Sequence, residues 1–226
     1  MSSEIHSPKN GIIFGVTGDI GSAIAERLSK TTENLYCVSR KKPDHIDNDN
    51  DTKALQLTID FPQDRDHFIN QLHNLNIKFD FVINAIGYYE VDKNYYDVSV
   101  FYRNLQSNYH ILQYIAESIE PFIEDNGTFV NISSIASHSG STHEYGYSSS
   151  KLLVDKFMHQ FSLNHRNKFR TTNIRLGAVK SSMTQFRSDQ HLLIKTEDIS
   201  NLVFNIISLG ESICIPIVDV FRAKTE

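Results

Sequence analysis

The sequence predicts an α/β fold, a Rossmann-like doubly wound parallel sheet of about seven strands in three α/β/α layers. Short apolar runs alternate with helix-periodic segments along all 226 residues, and such alternation builds a parallel sheet covered on both faces. A glycine-rich turn joins the first apolar run to the first helical segment. No linker, repeat or low-complexity stretch divides the chain, so residues 1–226 read as one domain, with 1–9 expected to be flexible.

Residues 11–16 are a short apolar run ending beside glycine, the first strand. Residues 20–30 carry Ile20, Ala23, Ile24 and Leu28 at helical spacing. Strands are expected at 34–39 and 54–59, then a helix at 64–74 with Phe68, Ile69 and Leu72 on one face, and a fourth strand at 79–83. A long helical stretch spans 98–119, as one helix or two in series, and Pro121 ends it. A strand at 128–132, an amphipathic helix at 147–163 and a strand at 170–176 follow. Thr196 reads as an N-cap, with Glu197 and Asp198 in the first turn of a helix through 208. Residues 212–218 are the seventh strand. Right-handed crossovers then place a ligand crevice at the carboxyl ends of the strands.

Hydrophobic residues make up 40% of the chain, and the net charge of −5 offers no basic face for nucleic acid. No apolar run reaches the length of a membrane helix, and residues 1–8 lack the apolar core of a signal peptide, so a cytoplasmic protein with a small-molecule partner is expected. Cys37 and Cys214 lie in strand-like runs and read as buried thiols in a reducing compartment. No metal is expected: the ten histidines form no H-E-x-x-H pattern. The acidic stretch 41–52 lacks the glycine and terminal glutamate of an EF-hand loop and reads as a surface loop.

Gly15, Gly18 and Gly21 frame the turn Gly15-Val16-Thr17-Gly18-Asp19-Ile20-Gly21. Glycines at a strand–helix junction let backbone N–H groups approach a pyrophosphate, and the helix N-terminus adds partial positive charge. The Walker lysine of a triphosphate-hydrolysing loop is absent. The second strand ends on Ser39-Arg40-Lys41, with no acidic residue to hold a ribose. Arg40 suits a 2′-phosphate there, assisted by Lys41, so NADP(H) is favoured over NAD(H). Asp60, after the third strand, is placed to accept from an adenine amino group, and the small-residue turn Asn84-Ala85-Ile86-Gly87 lets backbone pass close to the cofactor.

Tyr147 and Lys151 stand at i and i+4 of the amphipathic helix expected at 147–163, on one face. A free phenol has a pKa near ~10, too high for proton exchange at neutral pH. A neighbouring ammonium together with an oxidised nicotinamide favours the phenolate, so the pair has the chemistry of a proton-transfer acid/base. Ser134 closes Asn131-Ile132-Ser133-Ser134 thirteen residues before Tyr147, and Asn108 lies in the long helix before that strand. Tyr145 has Ser149 four residues on, not lysine, and is not the acid/base.

With these residues the chain resembles the short-chain dehydrogenase/reductase family over roughly residues 10 to 220. The resemblance implies an Asn108–Ser134–Tyr147–Lys151 tetrad. Tyr147 moves the proton, Ser134 hydrogen-bonds the substrate oxygen, Lys151 lowers the tyrosine pKa and holds ribose, and Asn108 supports a water relaying protons to Lys151. It also places Gly177, Val179 and Ser181 on the nicotinamide side, and implies a homodimer or homotetramer packed through the long helices. The implied activity interconverts a carbonyl and an alcohol.

The sequence departs from the family pattern in several places. The glycines have 1-4-7 spacing, more frequent in longer and atypical branches, and Leu176-Gly177 stands for Pro-Gly. Ser181 stands for the threonine that holds the nicotinamide amide. The lid between Ser181 and Thr196 is short, expected of an open site or a compact substrate. The usual glycine-rich C-terminal tail is missing, which would alter one interface of a family tetramer. Two other classes stay open. A nucleotide-sugar epimerase or dehydratase would need a longer C-terminal substrate part. A non-catalytic NADP(H) sensor would usually lack the tyrosine or lysine. Tyr88 and Tyr89 read as packing or pocket wall, and His138 and His143 as solvated loop.

Overall fold

The computed structural model describes residues 8–40, 55–58, 62–94 and 96–224, with residues 55–58 described as backbone. Seven parallel strands form one sheet in the order β3-β2-β1-β4-β5-β6-β7: β1 Asn10–Phe14, β2 Asn34–Ser39, β3 Leu55–Thr58, β4 Phe79–Asn84, β5 Ile123–Ser134, β6 Arg170–Leu176 and β7 Ile217–Val220. The helices are α1 Asp19–Ser29, α2 Arg65–Leu75, α3 Val98–Leu105, α4 Ile111–Ile119, α5 Ala136–Ser139, α6 Tyr145–His165 and α7 Thr196–Ile207. The doubly wound sheet expected from the sequence is the one observed. Chain order reverses between β1 and β4, which opens a crevice at their carboxyl ends.

Strand side chains alternate between faces, so each central strand feeds two cores. Ile12, Phe14, Val82 and Phe129 pack with Phe68 and Leu72 of α2, Ile115 of α4 and Met158 of α6. Ile13, Phe81, Ile83 and Val130 pack on the other face with Ile24 and Leu28 of α1 and Val203 of α7. These apolar faces are the period-3.6 stripes visible in the sequence.

The differences from the sequence reading have local causes. β1 stops at Phe14 because Gly15 takes φ +87°, outside the strand region. The stretch 98–119 is α3, a π turn over Gln106–His110, and α4, and Pro121 sits in a 3-10 turn that leads into β5. β5 starts five residues earlier than expected, through an irregular entry where Asn126 is left-handed (φ 65°) and the register with β4 shifts. Thr196 is the first helical residue of α7, and Lys195 occupies the N-cap position. β7 begins at Ile217, after Pro216, not at Ser212. Cys214 therefore lies outside a strand and is exposed, which corrects its reading as a buried thiol, while Cys37 in β2 is buried. The 41–52 loop, Lys41 included, lies outside the described residues. Among the described residues no helix is long and apolar enough to cross a membrane, and no group of three or more metal-ligating side chains is found.

Burial pushes the Cys37 thiol up to about 12. A thiol-specific chromogenic reagent at neutral pH should therefore titrate one thiol in the folded protein, Cys214, and two after unfolding in guanidinium. Two fast-reacting thiols in the folded protein would contradict the placement of Cys37.

Candidate active site

A cavity of about 850 Å³ runs along the carboxyl ends of the strands, from Arg40 after β2, past the glycine turn and Tyr147, to Arg187 in the segment between β6 and α7. The sequence set these residues far apart, and strand order brings them to one edge of the sheet.

The glycine turn is shaped by contacts that exclude side chains. Gly15 combines φ +87° with a direction in which a Cβ would meet Ala85 C and Ile86 N at 2.9 Å. A Cβ on Gly21 would fall 2.2 Å from the carbonyl oxygen of Gly15. Gly18 differs: its Cβ direction is nearly open, with the nearest atom at 3.6 Å. Gly18 is the N-cap of α1 and brings no side chain to cap it, so the first-turn N–H groups face the cavity edge. Gly15, Thr17, Gly18, Asp19 and Ile20 line the cavity, whereas Gly21 packs behind it and keeps α1 close to β1. Asp19 reaches across, its Oδ2 accepting from Ser182 N (2.9 Å) and Ser182 Oγ (2.7 Å). The uncapped helix start and the open face of Gly18 fit a dinucleotide pyrophosphate. Arg40, after β2, lines the same cavity.

Tyr147 and Lys151 sit one turn apart at the start of α6, with Lys151 Nζ 5.7 Å from the Tyr147 ring centre. Ser134 ends β5 and lines the cavity beside Tyr147, whose hydroxyl it pulls toward ionisation. The Ser134 oxygen also accepts from the N–H of Ala136 at 3.1 Å, which fixes it at the start of α5. Both titrating groups move away from charge. Burial pushes Tyr147 up to about 12, against the pull of the Ser134 hydrogen bond and with a further push from the Glu144 carboxylate. Burial lowers Lys151 to about 8, offset by the attraction of Asp155. In the protein alone desolvation is the largest effect on the phenol, and Tyr147 stays protonated. Tyr145 turns outward and stacks on Phe101.

Asn108 lies in the π turn, and the extra residue there rotates its side chain inward. Its Oδ1 accepts from Tyr88 N (2.8 Å), and its Nδ2 donates to Tyr88 O (2.9 Å) and Ser150 Oγ (3.0 Å). The amide clamps the loop after β4 to α6 and does not line the cavity. Asn84 is likewise turned away from the lining. Its Nδ2 donates to Asn131 Oδ1 (2.8 Å), Asn131 Nδ2 donates to Asn173 Oδ1 (2.8 Å), and Asn173 Nδ2 donates to Asp155 Oδ1 (2.7 Å). Three asparagines in register on β4, β5 and β6 form a buried ladder that ends on Asp155, one turn beyond Lys151. Ser133 Oγ donates to the same carboxylate oxygen at 2.8 Å.

Ala85, Gly87, Gly177, Val179 and Ser181 line the cavity as expected. Ser181 caps the short 3-10 turn Ser182–Thr184. Asp60 lies outside the described residues. Tyr88 and Tyr89 form cavity wall, the Tyr89 ring standing edge-on to Tyr147 with centres 4.8 Å apart. His138 and His143 do not line the cavity, and His138 contacts Arg175 and Asp155 on its far side. Sequence reasoning missed Asp155, Glu144 and Arg187. Asp155 had a signal, its i+4 spacing from Lys151, while Glu144 and Arg187 sit in loops with no period to mark them.

The sequence profile of the short chain dehydrogenase family matches residues 9–192. The chain belongs to the short-chain dehydrogenase family. As a member it is an NAD(P)-dependent oxidoreductase of the dehydrogenase/reductase type. Comparison with curated proteins gave no match. Solved structures are similar in fold. A short chain dehydrogenase from Salmonella enterica serovar Typhi has a TM-score of 0.84 at 17% identity, covering 97% of this chain and 98% of that one. A short chain dehydrogenase from Escherichia coli CFT073 complexed with NADPH has 0.84 at 16%, covering 94% and 95%. Serine dehydrogenase from Escherichia coli has 0.77 at 18%, covering 93% and 96%.

Within this short-chain dehydrogenase the glycines should differ in tolerance. Gly21→Ala forces atoms apart at 2.2 Å, and overpacking of that kind costs about 1–3 kcal/mol, or about 2–10 °C in Tm. Gly18→Ala should leave Tm within about 1 °C. Thermal melts of the two variants check this, and equal losses would contradict the described turn.

Proposed function

We propose that the protein is an NADP(H)-dependent oxidoreductase that interconverts a carbonyl and an alcohol on a small substrate, with Tyr147 as the proton-transfer acid/base. The observation that carries this reading is the convergence of Tyr147, Ser134 and Lys151 on the same cavity as the glycine turn and Arg40. Bound there, the dinucleotide supplies or accepts the hydride. The first turn of α1 would hold the pyrophosphate, Arg40 a 2′-phosphate, Lys151 a ribose and Ser181 the carboxamide.

The chain's own residues carry the proton. Ser134, held by the Ala136 N–H, donates to the substrate oxygen and aligns it with the phenol. Tyr147 is protonated at neutral pH and so is ready to give its proton to an oxygen that gains negative charge. Lys151, charged below about 8, stabilises the phenolate left behind. Asn108 fixes the Tyr88 backbone and Ser150 beside Lys151, and so positions the proton path that a water would complete. This electrostatic state favours carbonyl reduction, in keeping with a phosphate-selecting Arg40.

The apolar face of Tyr96, Val98 and Tyr102 beside Tyr145 and Leu152 of α6, all exposed, supports a homodimer or homotetramer. An exposed free thiol at Cys214 suits a reducing, cytoplasmic setting.

NADPH consumption with a panel of carbonyls tests the reading. Tyr147→Phe should cut kcat by about 10²–10⁴-fold while NADPH binding is retained. For the wild type, kcat/KM for reduction should be flat through neutral pH and fall above about 8 as Lys151 loses its proton, while alcohol oxidation should rise with pH because it needs the phenolate. Arg40→Ala should weaken NADPH more than NADH. Undiminished turnover in Tyr147→Phe would remove the mechanism.

A further inference from the structure

We propose that Arg187 is a binding residue for an anionic group, carboxylate or phosphate, carried by the substrate on the side of the reacting carbonyl away from the cofactor. The inference rests on the oxidoreductase reading and adds a substrate class to it.

Beyond Tyr147, away from Arg40, the described cavity wall carries two fully charged side chains, Glu144 and Arg187. Glu144 is committed on both oxygens: Oε1 accepts from the Tyr89 hydroxyl (2.9 Å) and Oε2 from Ser141 N (3.0 Å). It shapes the wall by holding Tyr89 against Tyr147. Arg187 is committed differently. Its Nε donates to Asp189 Oδ1 (2.8 Å) and its Nη2 to Asp189 Oδ2 (2.7 Å). A guanidinium has five N–H donors, so among the described residues Nη1 and the second Nη2 hydrogen keep no protein acceptor. The side chain lines the cavity and is 35% exposed.

The charge count around Asp189 points the same way. Arg222 Nη1 also contacts Asp189 Oδ2, at 2.5 Å. Two guanidinium groups share the one Asp189 carboxylate, and the further carboxylate that acts on Arg187, Glu144, is bound on both oxygens by Tyr89 and Ser141. The Arg187 and Arg222 pairs hold the Asp189 carboxyl down at about 2, so the two arginines share a single ionised carboxylate at any working pH. A fold that needed only to neutralise the buried Asp189 would require one arginine. The Arg187 backbone is pinned as well: its N–H donates to Thr184 O at 3.0 Å, and Gln190 Nε2 donates to Thr184 O at 2.5 Å. A forked donor held in one orientation loses little freedom when an oxyacid binds. The Arg187 charge reaches the catalytic side of the cavity, because it acts on both Tyr89 and Glu144.

The test compares matched carbonyl pairs with NADPH: acetoacetate against methyl acetoacetate, and dihydroxyacetone phosphate against dihydroxyacetone. The wild type should prefer one anionic member by ~10- to 100-fold in kcat/KM, and the pair that shows it identifies carboxylate or phosphate. In Arg187→Gln that ratio should collapse through a rise in KM for the anion, and Arg187→Lys should restore part of it. A wild type that uses the neutral members equally well, or a ratio unchanged in Arg187→Gln, overturns the proposal while leaving the oxidoreductase reading intact. Thermal shift with propionate and glycerol phosphate, against methyl propionate and glycerol, separates the two failures. Anion-specific stabilisation in the wild type without turnover of any carbonyl keeps the anion site and removes the oxidoreductase reading. Absence of both turnover and anion-specific stabilisation overturns both.

Discussion

A buried ammonium has to be held by other charge or by hydrogen bonds, and most of what is distinctive here serves that requirement at Lys151. Its residue is 4% exposed. Asp155, one turn further along α6, is the charge that acts on it. The Asp155 carboxylate is in turn fixed by Ser133 of β5 and Asn173 of β6, and Asn173 continues the amide ladder through Asn131 to Asn84. Four elements thus agree on one position for the carboxylate before Lys151 is charged. A ladder of this kind works only if β4, β5 and β6 stay in register, so strand pairing and site electrostatics are one constraint.

The same cavity keeps its charged side chains apart. Arg40 stands at one end, the neutral phenol and the lysine in the middle, and Arg187, backed by Asp189 and Arg222, at the other. Ser134 and Tyr89 hold the Tyr147 hydroxyl and ring between these ends. Burial outweighs the pull of Ser134 and keeps the phenol protonated. The residues therefore define a proton donor first and a base only when further positive charge arrives nearby.

The fold was largely legible because it follows from periodicity. β2 and β6 fall on the residues expected, and α1, α2 and α7 begin within a residue of the expected start. The glycine turn and the Tyr147–Lys151 pair were legible because each is a local spacing, and both line the one cavity. What was hidden depends on three-dimensional register. Nothing in the spacing of Asn84, Asn131 and Asn173 says that they face one another across strands. The π turn that aims Asn108 at Tyr88 has no sequence period. Arg187 lies in a short irregular lid, where neither helix nor strand pattern marks a functional side chain.

A cofactor-bound crystal structure tests the central claim most directly, that one cavity joins the glycine turn to the phenol–ammonium pair. The account predicts the pyrophosphate on the first turn of α1, the nicotinamide ribose about 3 Å from Lys151 Nζ, and the Tyr147 hydroxyl facing the reacting edge of the ring. A dinucleotide bound elsewhere, or seated with its nicotinamide out of reach of Tyr147 and Lys151, would contradict it.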